Sequence, residues 1–75
     1  MNKSRIEVYC MKLIKLKQVS ELTSLAKATI YKYIQDGAFP KQVSLGGHAV
    51  AWVEEEVLAW IEERILERDQ GWGHT

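Results

Sequence analysis

The stretch "SLAKATIYKYIQDGAFP", residues 24–40, predicts a short amphipathic helix that is followed by a helix-termination signal. At about 100° per residue, one side of the helix is apolar and faces a predicted core. Gly37 supplies the left-handed position that ends a helix, and Pro40 favours an extended residue before it, so the helix should end near Asp36. The predicted core residues of this helix are Ala26, Ile30, Tyr33 and Ile34.

The opposite side of the same helix combines cations, an aromatic ring and an amide with one small residue. Such a surface can approach a groove closely and offer hydrogen-bond donors to it. Its members are Lys27, Ala28, Tyr31, Lys32 and Gln35.

A second short helix is predicted just upstream, in "KQVSELTS", residues 17–24. Val19 and Leu22 form a single apolar stripe that is too short to be stable alone, so it must pack on another element. Only three residues separate the two helices, and such a tight connection is typical of helix-turn-helix units.

A β-hairpin is predicted downstream, in "KQVSLGGHAVAW", residues 41–52. Gly46 and Gly47 suit a two-residue turn of type I′ or II′. A lone hairpin is only marginally stable, so it should lean on the helices as a wing. The expected pairs are Leu45 with His48 at the exposed tip, Val43 with Val50, and Lys41 with Trp52, with Val43, Val50 and Trp52 closing the core.

The longest helix is predicted over "EEEVLAWIEERILERD", residues 54–69. Its first-turn glutamates are explained by the helix dipole, without a catalytic or metal-binding role. Ile65 and Leu66 extend the apolar pattern beyond what so small a domain can cover. The predicted core stripe is Val53, Val57, Trp60 and Ile61.

The net charge of zero conceals a division along the chain. Residues 1–49 carry eight cations and three carboxylates, a net charge of plus five, whereas residues 50–75 carry two cations and seven carboxylates, a net charge of minus five. A basic end suits a polyanion and an acidic end would face away from it. Two solvated faces with ordinary charge scatter are the alternative.

Several functional classes lack support in the 75 residues. Cys10 is the single cysteine, and no Cys/His cluster has zinc-ligand spacing, so neither a metal nor another cofactor is predicted. No nucleophile and base are suitably spaced and no glycine-rich phosphate loop is present, so we expect no enzyme. Apolar runs fall far short of the roughly 20 residues that span a bilayer, and a cytoplasmic protein is expected.

The order of elements and three markers, "LIKLKQV", "ATIYKYIQDGAFPKQVSLGG" and "AVAWVEEEVLAWIEER", resemble the AlpA family of small prophage-type regulators. That family is related to phage excisionases and to the winged DNA-binding head of MerR-type regulators, and the resemblance covers residues 11–68. It implies a mainly α fold with a small β-hairpin, a winged helix-turn-helix. It also implies sequence-specific binding of double-stranded DNA, in transcriptional regulation, in excision of an integrated element, or in both.

The resemblance makes residues 26–36 the recognition helix and residues 41–52 the wing. Lysines can neutralise phosphates or reach guanine, Ala28 can meet a thymine methyl group, and Thr29 with the free helix amides can hold a phosphate. Tyr31 has the alternative of half-buried packing, and Gln35 can reach adenine or stay in solvent. The implied DNA-binding residues are Lys27, Ala28, Thr29, Tyr31, Lys32, Gln35, Lys41 and His48.

The chain departs from the family pattern at three places. Ser24–Ala26 replaces the usual "GLS", which removes the turn glycine and the hydroxyl N-cap of the recognition helix. Lys27 and Lys32 occupy positions where the family usually has arginines, and an ammonium group cannot form the bidentate hydrogen bonds that a guanidinium makes. His48 stands for a wing arginine, and a histidine changes charge between about pH 5 and 8, so its contact should tighten as the pH falls. Alternatively His48 is solvated, and Lys41 or the N-terminal arm takes its place.

The predicted organisation is a flexible arm at 1–10, the DNA-binding domain at 11–69 and a disordered tail at 70–75. Ile65 and Leu66 suggest a homodimer or a cooperative multimer on DNA, although exposed leucines are also normal on monomers. Contact with an integrase or with RNA polymerase is a further expectation. The competing function is an adaptor that binds a protein partner through the acidic C-terminal helix.

Overall fold

In the computed structural model, which describes residues 11–70, three helices and a three-stranded antiparallel sheet share one hydrophobic core. This architecture confirms the predicted winged helix-turn-helix. The predicted arm and residues 71–75 lie outside the described residues, and the domain limits stay predictions. The elements are β1 Leu13–Ile14, α1 Leu16–Thr23, α2 Lys27–Gln35, β2 Val43–Gly46, β3 Ala49–Val53 and α3 Glu54–Asp69.

The core takes one fully buried side chain from each helix. Val19, Ile30 and Val57 come from α1, α2 and α3, and each has no solvent exposure. The three short helices are therefore held by shared apolar burial rather than by their own helix propensity. The sheet and the loop after α2 complete the core with Ile14, Trp52 and Phe39.

The connection between α1 and α2 is held by hydroxyl groups as well as by backbone. Ser24 adopts a left-handed conformation, with φ of 63°, and its backbone N–H donates to the Ser20 carbonyl at 2.8 Å. The Ser20 hydroxyl donates to the Leu25 carbonyl at 2.7 Å. The Thr23 hydroxyl donates to the Val19 carbonyl at 2.8 Å and accepts from the Leu25 N–H at 3.2 Å. The predicted tight turn is confirmed.

The end of α2 is a Schellman motif built on Gly37. This glycine has φ of 75°, and its N–H donates to the Ile34 carbonyl at 3.0 Å. The Ala38 N–H reaches the Tyr33 carbonyl at 2.8 Å, which completes the two-bond pattern of this motif. The predicted stop at Asp36 is therefore confirmed.

The first strand, β1, was not predicted. The strand order is β1-β3-β2, and Leu13 pairs with Val53 while Ile14 pairs with Trp52. The Lys12 carbonyl also accepts from the Glu54 N–H at 2.7 Å, which joins β1 to the start of α3. A two-residue strand is too short to show an alternating pattern of apolar and polar residues. Its pairing partners also lie about forty positions away in the sequence, so local patterns do not reveal it.

The predicted register of the hairpin is wrong by one residue. The turn is Gly47–His48 rather than Gly46–Gly47, and the observed pairs are Val43 with Ala51, Ser44 with Val50, and Gly46 with Ala49. The pairs Leu45–His48, Val43–Val50 and Lys41–Trp52 do not form. Two causes combine. The turn lies one residue later than predicted, which alone would shift each pairing by two residues, and a β-bulge between Ser44 and Gly46, which leaves Leu45 without a partner across the strands, takes back one of them.

The shifted register changes which residues reach the core. Val43 is 38% exposed, contrary to prediction, and it pairs with the small, buried Ala51 instead of with Val50. Trp52 is fully buried and Val50 packs against the core, as predicted. Ala26 is exposed rather than buried, because it is the extended N-cap residue that precedes α2.

The bounds of α3 agree with the prediction, Glu54–Asp69. Val57 is buried, and Trp60 and Ile61 are partly buried against the core. Ile65 and Leu66 are 43% and 51% exposed, as expected for residues beyond the core. Within the described residues, no helix combines the length and the apolar character needed to cross a bilayer.

Candidate nucleic-acid interface

The outward face of α2 gathers four of the predicted contact residues. Ile30 is buried on the other side of the helix, and this orientation turns the polar face toward solvent. At about 100° per residue, the exposed side chains occupy an arc of about 140°. They are Lys27, Ala28, Lys32 and Gln35.

The first turn of α2 has donors to offer. Ala26 provides no side-chain hydrogen bond to the helix, and the first intrahelical bond runs from the Ile30 N–H to the Ala26 carbonyl at 3.0 Å. Within residues 11–70, the N–H groups of Lys27, Ala28 and Thr29 have no hydrogen-bond partner. An uncapped helix N-terminus of this kind attracts anions through its amides and its dipole.

Lys32 is held only loosely on the free protein. Its ammonium nitrogen lies 3.5 Å from a carboxylate oxygen of Asp36, one helical turn later, and the two side chains are 70% and 56% exposed. A surface pair of this type is worth between zero and about 1 kcal/mol. Lys32 can therefore exchange Asp36 for a phosphate or a base edge at small cost.

Tyr31 joins the helix to the sheet. It is half-buried, and its ring centroid lies 6.3 Å from that of Trp52, with the planes tilted by 58°. The Trp52 indole N–H donates to the Pro40 carbonyl at 3.2 Å. These contacts favour the packing role for Tyr31 that the sequence left open, and they fix the base of the wing beside α2.

The wing carries two further predicted residues, and the eighth, Thr29, is half-buried in the first turn of α2. Lys41 precedes β2 and His48 is the second turn residue, and both are exposed. At about 3.3 Å per residue, the strand from Trp52 to the turn at Gly47 spans about 16 Å. Half of the helical repeat of about 34 Å of DNA is similar, so α2 and the wing tip can reach adjacent grooves.

The segment that contains the wing differs from α3 in its charge. Residues 37–53 contain no carboxylate, whereas α3 has seven. Arg64 and Arg68 of α3 are already paired, with Glu67 at 2.6 Å and Asp69 at 2.9 Å. Three exposed lysines lie near the start of α1, and the sequence contributed only their charge to the prediction, because no motif marks them as DNA contacts. They are Lys12, Lys15 and Lys17.

A second surface, here called the Trp60 groove, runs along α3. The Trp60 indole N–H donates to the Ala38 carbonyl at 2.7 Å, and the Arg64 guanidinium lies 4.9 Å from the Trp60 ring centroid. Toward the end of α3 the groove is lined by Leu22, Ile61 and Ile65. In the described part of the chain, no three His, Cys, Asp or Glu side chains are grouped as metal ligands.

The chain resembles known phage and prophage proteins. The family model described as "Prophage CP4-57 regulatory protein (AlpA)" matches residues 12–65. Uncharacterized protein ORF88 of Enterobacteria phage P4 is 44% identical over 61 residues, which cover 81% of this chain and 69% of that protein.

A second relative carries a functional name. The DNA-binding transcriptional activator AlpA of Escherichia coli (strain K12) is 34% identical over 53 residues, which cover 63% of this chain and 76% of that protein. The family match spans the helix-turn-helix, the wing and most of α3. The chain therefore belongs to the AlpA family of prophage regulatory proteins.

Proposed function

We propose that this protein binds double-stranded DNA sequence-specifically and acts as a prophage-type transcriptional regulator. The observation that carries the proposal is the exposed polar face of α2, presented by a helix-turn-helix opposite the buried Ile30. Membership of a regulatory family and the DNA-binding name of the Escherichia coli relative support it. A regulator of this kind needs no catalytic group of its own.

In this proposal α2 enters the major groove with its N-terminal half closest to the bases. Lys27 and Lys32 contact phosphates or guanine acceptors, and Ala28 permits close approach or meets a thymine methyl group. Thr29 and the uncapped amides hold a phosphate. Gln35 lies two turns later and reaches a base edge only if the helix enters along its length.

The wing contributes contacts to the DNA backbone on one side of α2. Lys41 supplies a positive charge, the His48 ring can donate a hydrogen bond to a phosphate oxygen, and the absence of carboxylates from residues 37–53 avoids repulsion.

The proposal is tested by measuring the affinity for duplex DNA as salt rises. Each lysine that neutralises one phosphate adds about one ion to the salt slope, so Lys27→Ala and Lys32→Ala should each weaken binding and lower the slope by about one. Arg68→Ala is the matched control, because it removes an exposed cation from α3. Unchanged slopes for both lysine variants, with folding intact by circular dichroism, would place the DNA surface elsewhere.

The regulator and excision roles are separated by the genomic DNA fragments that the purified protein retains. Fragments from promoters support transcriptional regulation. Fragments that carry direct repeats at an attachment region support an excision factor, and would make an integrase the expected partner.

A second candidate function is protein binding through α3, favoured by exposed apolar residues on this helix, of which Ile65 lines the Trp60 groove. Leu58, Ile65 and Leu66 are 44%, 43% and 51% exposed, and the chain can use them to self-associate or to bind a polymerase or integrase. A pure adaptor would show almost no DNA affinity at any salt concentration, whereas a DNA-binding protein loses affinity steeply as salt rises.

A further inference from the structure

Leu45 is a large apolar side chain at a place where the fold does not use it. It lies on β2, all of whose residues are exposed, and 48% of its own surface is accessible. The core is closed by the neighbouring strand β3, through Trp52, so Leu45 contributes nothing to the buried cluster.

The β-bulge separates Leu45 from the strand ladder. Ser44 pairs with Val50 and Gly46 pairs with Ala49, so Leu45 is the extra residue between two pairs. The Ser44 hydroxyl accepts a hydrogen bond from the Gly46 N–H at 3.4 Å across this residue. Bulges commonly redirect a side chain at the edge of a sheet, and here the redirected side chain is the leucine.

The tip beyond Leu45 is slender and carries no negative charge. Gly46 and Gly47 have φ of 107° and 55° and carry no side chain, so His48 contributes the one side chain between Leu45 and Ala49. Positive φ at the first of two turn residues, Gly47, fits a type II′ turn. The whole segment 37–53 lacks carboxylates, so nothing at the tip opposes entry between two phosphate backbones.

We propose that Leu45 is an apolar wedge that enters the minor groove, partly unstacks a base step and bends the duplex. The inference rests on the proposed DNA-binding function, and it adds deformation of the DNA as a second activity. Apolar side chains inserted between base steps from the minor groove kink DNA toward the major groove. With α2 in the major groove, a wing whose strand spans about 16 Å can reach about half a helical repeat along the duplex, which is where the minor groove faces the same side.

The wedge predicts a preference for deformable DNA. Unstacking is easiest at flexible pyrimidine–purine steps and at mismatches, so sequence selection at the wing should follow deformability rather than base contacts. A leucine offers no hydrogen bond to a base edge, and its contribution therefore depends on the shape of the groove and not on the donor and acceptor pattern.

The test compares Leu45→Ala with Val43→Ala, a control on the same strand that also removes an exposed apolar side chain. The probe is a duplex of about 40 base pairs taken from the retained genomic fragments, with dyes at both ends that report bending by energy transfer. Leu45→Ala should lose most of the bend and bind the intact duplex about tenfold more weakly, while Val43→Ala behaves as the parent. Leu45→Phe should keep the bend, because it restores an apolar wedge.

A mismatch at the bent step gives a second readout. The parent should bind the mismatched duplex more tightly than the intact one, and Leu45→Ala should lose that preference. If Leu45→Ala bends DNA as the parent does, or if the parent binds without bending, the wedge is overturned while DNA binding stands. If the parent binds no duplex at any salt concentration, the proposed function itself fails.

Discussion

Replacing Ala26 with serine should stabilise the protein, because α2 begins without a side-chain cap. Ala26 has φ of −70° and ψ of 155°, the extended conformation of an N-cap residue, and it is exposed, so a hydroxyl group fits without a clash. The new oxygen can accept a hydrogen bond from the Ala28 or Thr29 N–H. Serine in place of alanine at an N-cap is worth about 1 kcal/mol, with a range of about 0.5 to 2 kcal/mol.

Thermal unfolding measures the effect directly. For a domain of this size, 1 kcal/mol corresponds to a rise of about 4 to 8 °C in the melting temperature. The matched control is Ala28→Ser, the same change two residues later within α2, where serine costs up to about 0.7 kcal/mol of helix propensity. An Ala26→Ser protein that melts at or below the parent, or that shifts as Ala28→Ser does, would refute the capping argument.

The same substitution separates stability from DNA affinity. A serine at position 26 competes with a bound phosphate for the amides of the first helical turn. The expected result is a more stable protein that binds DNA more weakly. Unchanged or tighter binding by Ala26→Ser would show that no phosphate lies at this end of α2.

Three further variants test other parts of the structure. Ile30→Ala removes a fully buried side chain and should lower the free energy of unfolding by about 2–5 kcal/mol, measured by denaturant titration. His48→Arg places at the wing tip a guanidinium, which can hold a phosphate through two hydrogen bonds, and should bind DNA more tightly than the parent; equal affinities for variant and parent would show that the tip does not contact DNA. Leu66→Gln should weaken self-association in analytical ultracentrifugation, with Leu13→Gln as a control for another exposed leucine; monomers at every concentration would contradict the prediction.

Local signals in the sequence predicted the helices well. Gly37 ends α2 by a backbone conformation that glycine adopts easily, and α3 has its acidic first turn and its bounds where the pattern indicated. The tight turn at Ser24 also follows from spacing alone. The left-handed φ of Ser24 explains why the family pattern has a glycine at this position, because glycine adopts this conformation without steric cost.

The sequence did not predict the features of the fold that depend on contacts between distant residues. The strand β1 exists because Ile14 finds Trp52 in space, and no periodicity over two residues can reveal that pairing. The hairpin register failed because alternation assumes one residue against one, and the bulge at Leu45 breaks that rule. Among the site residues, the packing of Tyr31 on Trp52 was open in the sequence, because Tyr31 lies on the polar side of the helix and its partner Trp52 is 21 positions away in the chain.

The hydrogen bond from Trp60 to Ala38 connects two surfaces that have different proposed partners. Ala38 lies in the loop that joins α2 to the wing, and the Phe39 ring lies 4.9 Å from the Trp60 ring, edge to face. A protein bound in the Trp60 groove would contact the segment that sets the spacing between α2 and the wing, the two elements proposed to contact DNA. Any cooperativity between that protein and DNA must then be reciprocal: a partner that tightens DNA binding by a given factor is itself held more tightly, by the same factor, when DNA is bound.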